Sequence, residues 1–366
     1  MINSWQFTTI DKITENLDNQ RIPISKMKRN SGAIPYYGAT GIVDYVDGYI
    51  FNEELLLIGE DGADWSAGAN TSFIINGKSW VNNHVHVLRT VNANIKFLMN
   101  YLNYADLREY VSGTTRGKLN KASLMKIRIP NPPIKIQQKI ANTLSSIDEA
   151  IQKTEQIIQK TEVLKRGLMQ NVLNFGNKDN VRYLTLGDIG KVSMCKRIFK
   201  SETSDTGDIP FYKIGTFGKD PDSYISKELY DRYRDKYPFP KIGDVLLSAS
   251  GTIGRKVKYD GRPAYFQDSN IVWLEHDESK ILNDFLFYLY DTITWQTEGS
   301  TIKRLYNEIL LRKVIPVPSI EKQNQILEVL SVVDEKISVN KRLKDKLILL
   351  KNGIMQDIFN QRVQIN

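Results

Sequence analysis

The sequence predicts two α/β (α+β) domains separated by two long antiparallel coiled-coil helices, arranged as an internal pseudo-twofold repeat. Three observations predict this. Residues 118–173 recur at residues 304–359 without a gap, with 19 identities in 56 pairs, where unrelated segments would share about three. Each recurring segment carries a seam of residues at alternating steps of four and three, the signature of a coiled coil. The segments between them differ in sequence but share an outline of short β-like runs broken by glycine and aromatic residues. The chain is therefore one unit written twice.

In chain order the expected parts are a first domain over 1–133, a central helix over 134–175, a second domain over 176–319 and a C-terminal helix over 320–366. The first seam is Ile140, Leu144, Ile147, Ile151, Thr154, Ile158 and Thr161. The second is Ile326, Leu330, Val333, Ile337, Asn340, Lys344 and Leu347. Pro132–Pro133 and Pro318 sit just ahead, where proline is tolerated and blocks an earlier helix start. The proline-free run from Ile134 to Leu173 spans roughly 60 Å as a helix. A helix with one apolar seam needs a partner, and two matching helices supply each other as an antiparallel rod; the other arrangement is two separate hairpins with outside partners. Thr154 and Asn340 share a repeat position. They either specify register or mark a place where the seam loosens and the side chains reach water.

The globular segments match in outline. Gly32-Ala-Ile-Pro-Tyr36-Tyr37 parallels Gly207-Asp-Ile-Pro-Phe211-Tyr212, with the aromatics expected in the core. Leu55–Gly59 followed by Gly62 parallels Val245–Ala249 followed by Gly251. Val81–Leu88 parallels Gln267–Leu274, and Ser112–Leu119 parallels Glu298–Leu305.

Composition sets limits. Hydrophobic content of 41% and charged content of 25% are ordinary for a globular chain. No apolar stretch is long enough to span a membrane, and the first residues lack a secretory pattern. The single cysteine, Cys195, is expected as a small buried hydrophobe, and the cytoplasm is the expected compartment. Net charge is +8, which favours a polyanionic partner. Each of the four segments nets +2, so a basic surface has to be assembled by folding loops together.

The repeated lead-ins Ile129-Pro-Asn-Pro-Pro-Ile134 and Ile315-Pro-Val-Pro-Ser-Ile320, each followed by a glutamine at 137 or 323, carry a resemblance. With the paired helices and the divergent α/β segments, the whole chain resembles the specificity subunit of type I restriction–modification systems. The resemblance implies two target recognition domains, each reading half of a split, asymmetric double-stranded DNA sequence. It implies helices that act as a spacer and dock two methyltransferase subunits, with restriction subunits joining that core. It also implies no catalysis in this chain, with S-adenosylmethionine, ATP and Mg confined to partner subunits of a bacterial or archaeal cytoplasm. One departure is the absence of a long helical extension before the first domain, which leaves open how the rod is completed at that end. A coiled-coil scaffold with globular protein-binding ends is the alternative function.

No other chemistry competes. Asn131-Pro-Pro-Ile134 differs from an adenine methyltransferase motif at its last residue, where an aromatic ring would stack on a flipped base. No dinucleotide fingerprint or P-loop exists. Pro221, Asp222 and Glu228 lack the lysine that a nuclease set requires. His84, His86 and His276 with Cys195 do not make a structural zinc site; His84 and His86 are expected as a pair on one strand face.

DNA contact has more support. Phosphate binding uses Arg, Lys, Ser, Thr and backbone N–H groups. Thr114, Thr115, Arg116 and Lys118 supply these in one half, and Ser300, Thr301, Lys303 and Arg304 at matching places in the other. Base reading uses polar side chains that match the major-groove pattern. The candidates are Lys26, Lys28, Arg29, Asn82, Asn83 and His84 in the first half. In the second they are Lys196, Arg197, Lys200, Arg255, Lys256, Gln267, Ser269 and Asn270.

Overall fold

The computed structural model describes residues 5–113, 117–173, 175, 181–295 and 304–363. It resolves into two compact units: residues 1–157 with 340–366, and residues 158–339. Each unit holds one globular domain together with a stretch of both long helices.

Four helices organise the units: α1 (Ile95–Tyr104), α2 (Ile134–Val172), α3 (Asn283–Leu289) and α4 (Ile320–Phe359). The first domain contains a four-stranded antiparallel sheet in the order Thr14–Asn16, Val85–Thr90, Leu55–Gly59, Ser72–Ile75. Its central strands are buried on both faces, as their unbroken Leu/Ile/Val runs require. A second sheet orders Gly41–Val46, Ser31–Gly38, Lys78–Val81 and Phe51–Asn52.

The second domain repeats this plan. Gly190–Ser193, Ile271–His276, Val245–Ser248 and Lys256–Lys258 form its antiparallel sheet, and Tyr224–Ile225, Ile209–Tyr212 and Tyr265–Phe266 form the smaller one. The equivalence extends to individual bonds. Tyr36 and Tyr37 pair in parallel with Trp80 and Val81, and Phe211 and Tyr212 pair in parallel with Tyr265 and Phe266. Tyr36 and Phe211 are buried, as expected for core positions, while Tyr37 and Tyr212 are half-buried. A further strand near the start of each domain pairs with the lead-in to its helix: Phe7–Thr9 with Arg128–Pro130, and Arg182–Thr185 with Val314–Val317.

The long helices pair with each other inside each unit. In the first unit Lys351 bonds Asp148 at 2.7 Å and Lys344 bonds Glu155 at 2.6 Å. The partners' numbers run in opposite directions, so the two stretches are antiparallel. In the second unit Lys165 bonds Asp334 at 2.6 Å. Asp148 and Asp334 share a repeat position, as do Lys165 and Lys351, so the same ion pair occurs once per unit. Ile140, Leu144, Ile158, Ile326, Leu330 and Ile337 are buried, and Ile147, Ile151, Val333 and Leu347 are half-buried. Thr154 neither reaches water nor bridges to the other helix: it is buried, and its hydroxyl donates back to the Ala150 carbonyl at 2.7 Å. Asn340 is half-buried.

The question of how the first end is completed is answered by α4. Met355, Ile358 and Phe359 are buried in the first domain's core. Phe359 meets Phe97, Tyr101 and Tyr104 of α1 with ring centroids 5.1–5.8 Å apart.

Each domain is clamped to its helix by the glutamine of the lead-in motif. Gln137 is 2% exposed and Gln323 is 0% exposed. The Gln137 carbonyl accepts from the Asn94 N–H, the N-cap of α1, at 2.9 Å, and its amide donates to Pro132 O and Asn131 Oδ1. The Gln323 carbonyl accepts from the Leu282 N–H, the N-cap of α3, at 2.8 Å, and its amide donates to Pro318 O and Lys280 O. Only an amide supplies an acceptor and two donors from one short group. Gln323→Leu should therefore leave buried backbone groups unpaired and destabilise the second domain by about 3 kcal/mol, read as a lower urea midpoint with an unchanged slope.

Candidate nucleic-acid interface

In each domain three loops meet at one junction, held by the same backbone bonds. In the first, the Glu60 N–H donates to the His84 carbonyl at 2.9 Å, and the Leu119 N–H donates to the Glu60 carbonyl at 2.8 Å. In the second, the Ala249 N–H donates to the Asn270 carbonyl at 2.8 Å, and the Leu305 N–H donates to the Ala249 carbonyl at 2.8 Å. Lys118 bridges to Ser112 and Asp61, and Arg304 bridges to Ser250, through isolated β contacts. The loop after a buried strand, the turn between two strands and the loop leading to the long helix thus converge twice.

Several candidate residues come together here. Asn82, Asn83 and His84 form the turn before strand Val85–Thr90, and the His84 carbonyl meets the loop of Glu60. Asn82 is buried, and its Oδ1 accepts from the His84 N–H at 2.8 Å, so it shapes the turn. Asn83 is exposed. Gln267, Ser269 and Asn270 form the equivalent turn. Gln267 Oε1 accepts from the Ile214 N–H at 2.9 Å, and Ser269 sits in the left-handed region with φ 40°. Arg304 is exposed. Thr114, Thr115, Arg116, Ser300, Thr301 and Lys303 lie outside the described residues.

Others lie elsewhere. Lys26 and Lys28 are exposed on a short 3-10 turn ahead of strand Ser31–Gly38. Arg29 on the same turn pairs with Asp44 at 2.9 Å and stacks over Tyr36 at 4.3 Å, which commits it to structure. Lys196 and Lys200 are exposed, and Arg197 ties the segment after strand Gly190–Ser193 to Asp268 of the junction turn at 2.8 Å. Arg255 donates to the Phe217 carbonyl at 2.9 Å. Lys256 turns away from the surface. Its side chain is 9% exposed, pairs with Asp291 at 2.7 Å and lies over Phe287. Burial lowers its pKa against the pull of Asp291. It is an internal cation, turned inward because a strand alternates faces.

His84 and His86 do not share a strand face, because the strand begins at Val85. His86 is buried, with Nδ1 2.6 Å from Asp18 and Nε2 2.6 Å from the Leu119 carbonyl. Asp18, Glu60 and His86 bring ligand-type atoms within 4.8 Å of one another. Arg21 at 2.7 Å and Lys118 at 3.0 Å already neutralise Glu60, and both His86 nitrogens face protein acceptors. The cluster is thus an ion-pair network that anchors the junction. Burial tends to raise Glu60, but hydrogen bonds from Arg21 and Lys118 and the charges of His86 and Arg21 hold it below the ordinary value. Cys195 is buried, and that burial pushes its thiol up to about 12.

Sequence reasoning missed Asp61 and Ser250, which hold His84 and Asn270 in place. Their equivalent positions after the matched Leu-Leu strands were the available signal.

The chain belongs to the type I restriction modification DNA specificity domain family, whose model matches residues 3–163 and again 178–348. Specificity subunits are the non-catalytic components of type I systems. Among relatives, it is 42% identical over 335 residues to a putative type I restriction enzyme specificity subunit of Haemophilus influenzae, covering 89% of this chain and 86% of that protein. It is 24% identical over 288 residues to the type I restriction enzyme MjaVIII specificity subunit of Methanocaldococcus jannaschii, covering 71% and 67%. The crystal structure of the type I restriction–modification S subunit from M. genitalium shares the fold with a TM-score of 0.65 at 17% identity, covering 99% of this chain and 97% of that one. A chain from a structural study of type I R-M assembly and conformational transition aligns with a TM-score of 0.59 at 15% identity, covering 98% of each. Among the described residues, no helix is long and apolar enough to cross a membrane.

Asp18 gives a pH test. Burial is the largest influence and tends to raise it, but the His86 bond and charge, Asn16 and the Val87 N–H together hold it below its ordinary 3.8. A depressed carboxylate contributes stability above its unfolded value and loses it as pH falls through the folded one. Asp18→Asn should lower stability by about 2 kcal/mol at pH 7, and the difference in melting temperature from the wild type should shrink as pH falls through and below the ordinary carboxylate range.

Proposed function

We propose that this chain reads DNA sequence for a type I complex, each domain recognising one half of a bipartite target through its three-loop junction. The observation that carries this is the duplicated junction: two domains of divergent sequence keep the same backbone bonds there and differ in the side chains those bonds present. Different side chains imply different half-sites, hence an asymmetric target. Half-site centres on the order of one helical turn or somewhat more apart fit two recognition modules on one duplex.

The long helices act as spacer and as dock for two methyltransferase subunits, and restriction subunits join that core. The exposed apolar residues Val332, Leu343, Leu349 and Leu350 on α4 support a protein-docking role, because such side chains on a helix surface favour a partner. S-adenosylmethionine, ATP and Mg belong to those partners.

The test is single-molecule mapping of methylated adenines in cells carrying this chain with its methyltransferase, against cells with the chain deleted. A split, asymmetric motif that vanishes on deletion is the expected result. No chain-dependent motif, with the methyltransferase active and bound, would favour a scaffold with protein-binding ends. Arg304→Ala should weaken binding to all sequences alike and reduce the salt slope by about one, measured by titration of the methyltransferase complex between 50 and 200 mM salt, the range over which phosphate contacts lose about 10³–10⁵ in affinity. Loss of discrimination at one base position only would reassign Arg304 to base reading.

A further inference from the structure

At the junction of each domain one side chain from the loop after the buried strand grips the last residue of the turn. Asp61 Oδ1 lies 2.8 Å from His84 Nδ1. The Ser250 hydroxyl donates to Asn270 Oδ1 at 2.7 Å. The positions are equivalent, since His84 and Asn270 each precede a central strand and each carbonyl takes the same backbone bond from the loop beneath. The grip has opposite polarity in the two domains. Asp61 accepts, which places the proton of the neutral ring on Nδ1 and leaves Nε2 with its lone pair. Ser250 donates, which fixes the Asn270 oxygen inward and leaves the NH₂ group as the outer end.

Neither outer group has a partner among the described residues. His84 has a side chain 45% exposed, whereas Asp61 is 18% exposed and Ser250 is 5% exposed. The gripping residues sit beneath, His84 has the more open side chain of its pair, and Asn270 is half-buried.

We propose that His84 and Asn270 are base-reading residues of opposite hydrogen-bond polarity, and that Asp61 and Ser250 are the positioning residues that set this polarity. His84 Nε2 presents an acceptor, which suits the exocyclic amino group of adenine or cytosine. The Asn270 amide presents donors, which suit the acceptor edges of guanine, of adenine N7 or of thymine O4. This rests on the DNA-reading function proposed above and adds which side chains carry it.

The experiment is selection from a duplex library randomised in both half-sites, at pH 8, using the full chain assembled with its methyltransferase subunits. His84→Ala and Asp61→Ala should relax the same single position of one half-site by about tenfold. Asn270→Ala and Ser250→Ala should relax one position of the other half-site by a similar factor. Asp61→Glu and Ser250→Thr, which keep an obligate acceptor and a hydroxyl, should retain the preference. The salt slope should not move in any variant. Uniform weakening without a change in base preference, or relaxation at several positions at once, would overturn the inference and leave these pairs as loop staples. A wild-type complex that selects no sequence would instead defeat the DNA-reading function itself.

Discussion

The buried glutamine at the start of each long helix is the constraint on which the rest of each unit depends. Gln137 and Gln323 reach from the helix into their own domain and join three chain segments through one amide. They tie the proline lead-in, the loop ahead of a domain helix and the first turn of the long helix. No water competes at either site, since both residues are essentially inaccessible. A hydrogen bond in such surroundings contributes modestly when made and costs much more when one partner is removed. The geometry of domain against helix is therefore fixed inside each unit by a short polar contact, with apolar packing adding strength around it.

The helix pairing inside each unit follows from the same economy of parts. A seam of apolar residues drives the helices together, but apolar seams are tolerant of sliding. The repeated pair of Asp148 with Lys351, and of Lys165 with Asp334, adds a charge match that only the antiparallel register satisfies. Tyr288 reinforces the second of these by donating to Asp334 at 2.6 Å. Its acidic proton is held tightly, chiefly through burial and then through the adjacent Asp334 carboxylate. Thr154 shows how a polar residue is accommodated in the seam without a cross-helix bond, by returning its hydroxyl to its own backbone.

The junctions show the opposite design pressure. The central strands are locked by unbroken apolar runs, and the loops they end in carry the polar groups. In the first domain, Glu60 is satisfied by Arg21 and Lys118. In the second, Ala249 stands where the first has Glu60, so the carboxylate at the centre of that network has no counterpart there. A common backbone with exchangeable side chains is what a recognition surface needs if its specificity is to change without its fold. The net charge of +8 is spread over both domains, so attraction to a polyanion and discrimination within it rest on different residues.

Much of this was legible in the sequence, and the reason is periodicity. The 186-residue shift, the four–three seam and the proline lead-ins are local patterns, and local patterns dictate helices, their length and their apolar face. The matched Ile-Pro-aromatic and Leu-Leu runs likewise determined that both domains share one fold, because alternation and burial are written in residue type. What the sequence did not determine was the partner of each polar side chain. Lys256 reads as a surface base but turns beneath Phe287. His84 and His86 stand two apart, yet a strand that begins between them gives one to the surface and the other to Asp18. Asp61 and Ser250 carry no motif, and only the meeting of three distant loops makes them the groups that orient His84 and Asn270. Hydrogen bonds and ion pairs depend on ångström-scale approach between segments far apart in the chain, and that approach is decided by tertiary packing.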